Sequence, residues 1–261
     1  MIGTWLRAAT RASRRHILTM MACVAAVGMP AAAHAQVYSL SGDWSDASNP
    51  NGAWSYGSGL SHFAQPSSGP ANAFNSAAAN GYWGSGPDFF SSPFIVKVTS
   101  NGSATGAYND NDFIAGDVVV HSPNSGAPVA ITWTAPSAGS IALTSSVWYA
   151  HSIVTRSDDI LALLNATTIG SATVTNGITR ANQLGLANGT FTVAAGDVLT
   201  FDFSKSAGQQ FGSIAGISAT INFTPRAVAG VPEPAAWMTM ILGFGMIGAA
   251  VRQRRRRPAL A

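Results

Sequence analysis

Short runs of alternating apolar and polar residues recur between clusters of Gly, Pro, Asn and Ser through the middle of the chain. No window of about a dozen residues between 37 and 224 keeps the 3.6-residue apolar period of a helix. We therefore predict an all-β domain. Its strands are expected at residues 94–99, 117–121, 129–134, 140–150, 160–164, 169–175, 189–193, 198–203 and 214–223.

The number of predicted strands indicates how they are arranged. Nine strands in about 190 residues suit two packed sheets of a jelly-roll-like sandwich. The period-two pattern places Val129, Ile131 and Trp133 on one apolar face, which we expect to lie in the core. The same pattern turns Trp148 to the opposite face of its strand, so we expect an exposed ring there.

Residues 1–35 are typical of a secretory signal peptide. Four arginines precede an apolar stretch at 17–30, and Ala33 and Ala35 stand at the two positions that signal peptidase recognises. We predict cleavage before Gln36. The mature domain is then expected to span residues 36–225, with a linker at 226–230.

The leader is compatible with two export routes, the twin-arginine and the Sec translocon. Residues 13–18 read Ser-Arg-Arg-His-Ile-Leu, which resembles the twin-arginine motif, but arginines before an apolar core also suit the general secretory (Sec) translocon. The single cysteine, Cys23, lies inside this leader. The mature domain therefore has no disulfide, thiol nucleophile or thiolate metal ligand.

A second apolar segment precedes a basic run near the other end of the sequence. Residues 235–251 carry no charge, and 17 residues are the lower limit for crossing a bilayer as a helix. Arginines dominate residues 252–257, and positive charge beside a membrane span favours the cytoplasmic side. We predict a single transmembrane helix with its arginines in the cytoplasm.

The residues just before this segment carry a recognisable motif. Pro232, Glu233, Pro234 and Trp237 lie in the run Pro-Glu-Pro-Ala-Ala-Trp, and the apolar stretch and the arginine cluster follow. Over residues 231–257 this order resembles the PEP-CTERM domain, in its PEPxxWA variety, although Met stands where Ala usually follows the Trp.

The resemblance implies a destination. PEP-CTERM proteins are recognised by an exosortase, a membrane-embedded transpeptidase of Gram-negative bacteria that make exopolysaccharide. The chain is thus expected to be held briefly in the inner membrane, processed, and released to the cell surface or the extracellular matrix. The two prolines agree with a processing site, because they keep the backbone extended and accessible.

A second resemblance rests on five segments of the middle region, residues 49–57, 116–123, 131–136, 195–197 and 216–221. These segments resemble galactose-binding-like and carbohydrate-binding sandwich modules. This resemblance implies that the domain binds polysaccharide.

Aromatic residues are the candidate ligand contacts, because an aromatic face can stack on the C–H surface of a sugar ring. They lie mainly in a stretch rich in Gly and Ser, where aliphatic residues are few. The alternative is that the rings form a core in place of the missing aliphatic side chains. The candidates are Trp44, Trp54, Tyr56, Trp83 and Trp148.

Two groups of aspartates are expected to have different roles. Asp110, Asp112 and Asp117 offer hard oxygen ligands that suit a structural Ca2+. An Asx-rich turn without an ion is the alternative. Asp158 and Asp159 are expected at a solvated hairpin tip. No other cofactor is predicted.

The charge distribution argues against nucleic-acid binding, and the lack of a known catalytic motif argues against an enzyme. The chain has 14 Lys and Arg against 11 Asp and Glu, but the middle region has only 4 bases against 10 acids, so we expect no nucleic-acid partner. His121 and His151 belong to no known catalytic arrangement, and the mature domain has no Glu before Glu233. We therefore predict a non-enzymatic protein, either a polysaccharide-binding module or a structural component of the envelope or biofilm, with a glycan-active hydrolase as the less favoured alternative.

Overall fold

The structure is a computed structural model. It describes residues 34–59, 61–64, 82–85, 93–99, 101–102, 111–152, 154–226 and 234–255. The compact unit that holds the sheets spans Ala33–Arg226. Four predicted site residues, Ala33, Asp110, Pro232 and Glu233, lie outside the described residues, as does nearly all of the predicted leader.

The described part of the chain forms fourteen strands, and every strand pairing among them is antiparallel. In chain order they are β1 (Gln36–Ser39), β2 (Trp54–Ser58), β3 (Ser61–His62), β4 (Tyr82–Gly84), β5 (Phe94–Lys97), β6 (Val118–His121), β7 (Val129–Thr134), β8 (Gly139–Tyr149), β9 (Ser157–Leu164), β10 (Thr167–Thr175), β11 (Leu184–Gly185), β12 (Gly189–Val193), β13 (Val198–Lys205) and β14 (Ile214–Pro225).

These strands form two sheets, which confirms the predicted sandwich. One sheet has the order β10-β9-β13-β7-β2-β3. The other has the order β11-β8-β14-β6-β5-β4, with β1 beside β14 and β12 beside β8. All nine predicted strands are present, and β1 to β4 and β11 were not predicted.

The main core lies between the two sheets and takes side chains from both. Ile131 and Trp133 of β7 are fully buried, as the alternation predicted, and Phe201 of β13 joins them from the same sheet. Ile141 of β8 and Ile221 of β14 face them from the other sheet. Burial of such large apolar side chains is the main stabilising contribution to a domain of this kind.

A second apolar cluster lies on the outer face of the sheet that contains β8, and we call it the outer cluster. Phe113, from the segment between β5 and β6, packs in it beside outward-facing residues of the strands. The residues of the outer cluster are therefore covered and are not exposed to solvent. The members of the outer cluster are Tyr82, Phe94, Val96, Val98, Phe113, Val119, Trp148, Ala150 and Ile214.

Strand β14 is the central strand of its sheet. Along one edge it pairs with β8 from Ala215 to Pro225. Along the other edge it pairs first with β6 and then with β1, whose Gln36 is opposite Phe223. The segment that follows the predicted cleavage site is thus fixed into the sheet from its first residue.

Helix α1 (Pro234–Arg255) covers the predicted membrane segment. It begins at Pro234 of the predicted motif, and proline suits the first turn of a helix. Its apolar side chains are exposed along the described part, among them Ile241, Leu242 and Phe244. Among the described residues, no helix combines the length and the apolar character needed to cross a bilayer. The span at 235–251 stays a prediction.

Candidate functional site: two surface cavities beside a buried aromatic core

Four of the five candidate aromatic rings are buried. Trp54, Tyr56, Trp83 and Trp148 are at most 4% exposed. The prediction of an exposed ring at Trp148 is wrong, because the outer cluster covers the face on which it lies. The other three belong to the main core, so they have the packing role that the alternative interpretation gave them.

Trp44 is the candidate ring that keeps a partly exposed surface. It packs against Tyr56 with 4.7 Å between the ring centroids. Its indole N–H donates to Asp46 Oδ1 at 2.6 Å. Packing on one side and a hydrogen bond at the edge hold the ring in one orientation, which suits a ring that stacks on a ligand.

Trp148 has partners on every side. Its indole N–H donates to the Asp112 carbonyl at 2.6 Å, and the Arg180 guanidinium lies 5.8 Å from its ring. Its cross-strand partner is Gly216 of β14. A methyl group on Gly216 would overlap the indole ring, so the ring lies directly on the strand backbone. Trp148 therefore holds the outer cluster to the sheet.

The predicted calcium ligands have a different partner. Asp117 accepts two hydrogen bonds from the Arg180 guanidinium, at 2.6 and 3.0 Å, and Asp112 accepts the Arg180 backbone N–H at 2.6 Å. This pairing raises the pKa of Arg180. Among the described residues, no three metal-binding side chains come together. Because the Arg180 guanidinium already compensates Asp117, and Asp112 accepts a backbone N–H, these two carboxylates do not form a Ca2+ site by themselves, and the site that includes Asp110 stays a prediction.

A first surface cavity, of about 540 Å³, lies where β1 passes the turn before β2. Its polar groups bond to one another. The Tyr38 hydroxyl donates to Gln36 Oε1 at 2.6 Å, and the Asn51 amide donates to the Asp43 carbonyl at 2.8 Å. The cavity is lined by Gln36, Val37, Tyr38, Asp43, Asn51, Gly52, Ala53 and Trp54.

A second surface cavity, of about 480 Å³, lies beside the turn that follows β10, and we call it the Asn111 cavity. It combines amide, carboxylate and hydroxyl groups with the apolar side chains of Ile178 and Ala181. Sequence reasoning did not find it, because its walls come from segments 65 residues apart. They are Asn111, Asp112, Tyr149, Ser152, Asn176, Gly177, Ile178, Thr179 and Ala181.

A buried polar cluster lies where β6, β9 and β14 meet. Asp158 Oδ1 accepts the Ser122 hydroxyl at 2.6 Å, and the Ser122 Oγ accepts the Ser213 N–H at 2.9 Å. The Ser213 hydroxyl donates to Tyr149 Oη at 2.9 Å, and His151 Nδ1 lies 3.3 Å from Ser213 Oγ. The prediction that Asp158 lies at a solvated hairpin tip is wrong, since this residue is fully buried in β9.

Burial shifts the titration of this cluster. It raises the pKa of Asp158 to about 7, because the charged carboxylate loses its hydration. It lowers the pKa of His121 and His151 to about 4 for the same reason. At neutral pH both imidazoles are therefore neutral. Asp158 and His151 are enclosed in the protein and His121 is half-buried at the end of β6, and this arrangement favours a structural role.

Comparison with known proteins identifies the C-terminal segment. Residues 230–256 match the PEP-CTERM protein-sorting motif. The predicted resemblance is confirmed. Within it, the backbones of Pro234 and Trp237 lie in the first turn of α1. No curated protein sequence matches the chain.

Carbohydrate-binding modules are among the solved structures that resemble the chain, at low similarity. The CBM22-1 xylan-binding domain of Paenibacillus barcinonensis Xyn10C is 8% identical, with 60% of this chain and 94% of that one covered and a TM-score of 0.33. The C-terminal CBM6 of LamC from Zobellia galactanivorans is 19% identical over 40% and 79%, with a TM-score of 0.25. The xylan-binding module CBM15 is 17% identical over 57% and 94%, with a TM-score of 0.27.

Proposed function

We propose that this chain is an exported protein that an exosortase sorts to the surface of a Gram-negative bacterium that makes exopolysaccharide. The observation that carries the proposal is the PEP-CTERM motif at residues 230–256. The signal-peptide pattern of residues 1–35 supports export, through either the Sec or the twin-arginine translocon, with removal of the leader by signal peptidase.

Helix α1 supplies the membrane anchor in this proposal. At 1.5 Å per residue its uncharged part, residues 235–251, extends about 26 Å, close to the lower limit for crossing the hydrocarbon core. Its exposed apolar side chains suit lipid, and residues 252–257 provide the cytoplasmic positive charge. The anchor holds the chain in the inner membrane until the exosortase acts, after which the sheet domain moves to the surface or matrix.

The experiment follows the arginine-rich tail. The full chain is expressed in a host with a PEP-CTERM exosortase and in the same host without it, and the C terminus of the mature protein is determined by mass spectrometry. We expect loss of the tail only with the exosortase. Alanine at Pro232, Glu233 and Pro234 together should block processing, whereas Pro136→Ala, an exposed proline of the sheet domain, should not. Tail loss in both hosts would contradict exosortase sorting.

We further propose that the sheet domain binds polysaccharide without hydrolysing it. The two surface cavities described above are lined by hydroxyl, amide and carboxylate groups next to apolar surface, which is the composition that polyhydroxylated ligands need. The partly exposed ring of Trp44 offers a further stacking surface. The 4 bases and 10 acids of the middle region favour neutral over acidic polysaccharide.

The alternative is a structural envelope or biofilm component that binds no sugar. Calorimetric titration of the full chain with the cell's own exopolysaccharide and with neutral hexasaccharides separates the two. The chain is kept in a detergent without a sugar headgroup, because a maltoside or glucoside would compete. Saturable heat supports binding, and its absence with every sugar supports the structural role.

A further inference from the structure

One oxygen of the Asp43 carboxylate is open to solvent in the first surface cavity. The other oxygen, Oδ2, accepts the Ser39 backbone N–H at 2.9 Å and the Trp54 indole N–H at 3.3 Å. Oδ1 has no hydrogen bond to the described residues and is not one of their buried unsatisfied atoms, so it meets solvent. The two bonds to Oδ2 fix the carboxylate in place and leave Oδ1 available to a ligand.

No Lys or Arg of the described residues forms an ion pair with this carboxylate. Lys97 reaches the segment that carries Asp43, but its ammonium group donates to the Ser41 carbonyl at 2.8 Å. The α-amino group that leader cleavage would create at Gln36 is three residues before Ser39 on an extended strand, about 10 Å away. A partly buried carboxylate without a counter-charge attracts a cationic ligand.

Two further groups that line the cavity are also available as hydrogen-bond acceptors. The Tyr38 hydroxyl donates its proton to Gln36 Oε1 at 2.6 Å, so it accepts from any ligand. The Asn51 amide donates to the Asp43 carbonyl at 2.8 Å, and its own Oδ1 has no bond to the described residues and is not buried. Burial and, after it, the charge of Asp43 raise the pKa of Tyr38, so the carboxylate lies within electrostatic range of this hydroxyl.

This excess of acceptors indicates the ligand class. A primary ammonium group has one positive charge, three N–H donors and no acceptor, and charged N–H groups make strong hydrogen bonds to carboxylates. A sugar ring with an ammonium group in place of one hydroxyl presents such a donor together with the hydroxyls and C–H surface of a polysaccharide. The 10 acids and 4 bases of the middle region favour the same positive charge.

We infer that the first surface cavity binds an amino-sugar residue of a polysaccharide, with the ammonium group paired to Asp43 Oδ1 and hydrogen-bonded to Tyr38 and Asn51. This inference rests on the proposed polysaccharide-binding function, and it names the cavity and the class of sugar. The cavity volume of about 540 Å³ is large enough for a monosaccharide unit. The site selects by charge, so a neutral sugar of the same shape binds more weakly.

The test compares hexasaccharides that differ in one group on each ring. The full chain is titrated by calorimetry with hexamers of β-linked glucosamine, N-acetylglucosamine and glucose. A mildly acidic pH keeps the amines protonated, and the detergent is nonionic and has no sugar headgroup. We expect the glucosamine hexamer to bind at least about tenfold more tightly than either neutral hexamer, because it alone brings a charged donor. Added salt should weaken its binding and leave that of the neutral hexamers unchanged.

Asp43→Asn removes the charge and keeps a side-chain oxygen for the Ser39 N–H. It should weaken binding of the glucosamine hexamer about tenfold and have a smaller effect on the neutral hexamers. Asp197→Asn is the matched control, because Asp197 also accepts a backbone N–H within its own turn, from Ala194 at 2.8 Å, and lines neither described cavity. It should change binding by less than about twofold.

Gln36→Glu tests the inference in the opposite direction. It adds a carboxylate to the same cavity and keeps an oxygen for the Tyr38 hydroxyl. We expect it to tighten binding of the glucosamine hexamer about threefold, as an added charge at an exposed position should. Because Gln36 is exposed, this variant keeps the test valid where Asp43→Asn fails to fold.

The outcomes separate the inference from the proposed function. If a neutral hexamer binds as tightly as the glucosamine hexamer, or if Asp43→Asn and Asp197→Asn weaken binding equally, the inference is wrong while polysaccharide binding stands. Binding that Gln36→Glu does not tighten would contradict the inference as well. If the unaltered chain binds none of the hexamers and not the cell's own exopolysaccharide, the polysaccharide-binding function itself is wrong.

Discussion

Trp148 and Gly216 are cross-strand partners, and the indole of Trp148 lies on the backbone of Gly216. The absence of a side chain at 216 lets the ring approach the sheet closely enough for Phe113 and its neighbours to close over the same face. One glycine in a long central strand therefore determines whether the part of the outer face around Trp148 can be covered. This is a case in which a glycine inside a strand marks a close approach.

Gly216→Ala should destabilise the domain through overpacking. The added methyl group would overlap the indole ring, and neither the ring nor the central strand can move without disturbing the outer cluster. We expect a loss of about 1–3 kcal/mol in the free energy of unfolding, measured by urea denaturation. Ser218→Ala, two residues along the same strand and exposed, should change it by less than about 0.5 kcal/mol. Equal effects of the two substitutions would contradict this packing account.

Trp54→Ala and Trp44→Ala should differ strongly in stability. Trp54 is 1% exposed and belongs to the main core, so its removal is expected to cost about 3–5 kcal/mol. Trp44 is only partly buried, and its removal should cost roughly 1 kcal/mol. Urea denaturation of both variants measures the difference. A well-folded Trp54→Ala protein would show that the core tolerates this cavity.

Arg180→Met should weaken the attachment of the segment that carries Asp112 and Asp117. The guanidinium makes two hydrogen bonds to Asp117, but its side chain is 33% exposed, so solvent screens part of the attraction. We expect a loss of about 1 kcal/mol that becomes smaller at high salt. Unfolding at low and at high ionic strength measures both values, and a loss independent of salt would point to packing on Trp148 instead.

A chelator tests the calcium prediction on the same residues. Because Arg180 already compensates Asp117, we expect the melting temperature of the full chain to stay unchanged when a calcium chelator is added. Calcium added back serves as the control. A fall on chelation that calcium reverses would show that Asp110, Asp112 and Asp117 bind the ion after all.

The buried polar cluster should make stability depend on pH in two opposing ways. His121 and His151, with pKa values lowered to about 4, stay unprotonated in the folded state where the unfolded chain takes up protons, so stability rises as the pH rises from about 4 to about 6.5. Asp158, with its pKa raised to about 7, keeps a proton that the unfolded chain releases above about 4. Its contribution therefore falls as the pH rises from about 4 to about 7.

Asp158→Asn isolates the second effect. The variant should gain stability relative to the unaltered chain as the pH rises from about 4 to about 7, and the difference should then level off. Urea denaturation between about pH 4.5 and about pH 7.5 measures this difference. Asp159→Asn, at the next position of β9 and half-buried, provides the comparison for removal of a neighbouring carboxylate. A stability difference that is constant over this range would contradict the raised pKa of Asp158.

The strands that the sequence predicts are those in which aliphatic residues alternate with polar ones. β7, β8 and β14 have this pattern, and their inward faces follow from it. β2 and β4 do not, because Trp, Tyr, Gly and Ser replace the aliphatic residues and both faces of each strand are buried. Pairing with a neighbouring strand, rather than local pattern, makes these segments strands.

The candidate site was less predictable than the fold. The alternation of apolar and polar residues correctly predicts that Trp148 faces away from the main core. It cannot predict that Phe113 and Arg180, from distant segments of the chain, cover that face. Asp158 was assigned to a turn because charged residues are rarely buried, yet β9 begins at Ser157, three residues before the predicted strand. The Asn111 cavity depends on tertiary contacts that no local pattern records.

The position of β14 has a consequence for the order in which its sheet can form. It is the last of the described strands along the chain, yet β8, β6 and β1 all pair with it. The earlier strands of this sheet therefore cannot complete their pairing until residue 225 has been made. In a chain that is synthesised from its N terminus, closure of the sheet is a late event, and a chain truncated before β14 would leave β8, β6 and β1 with unpaired edges.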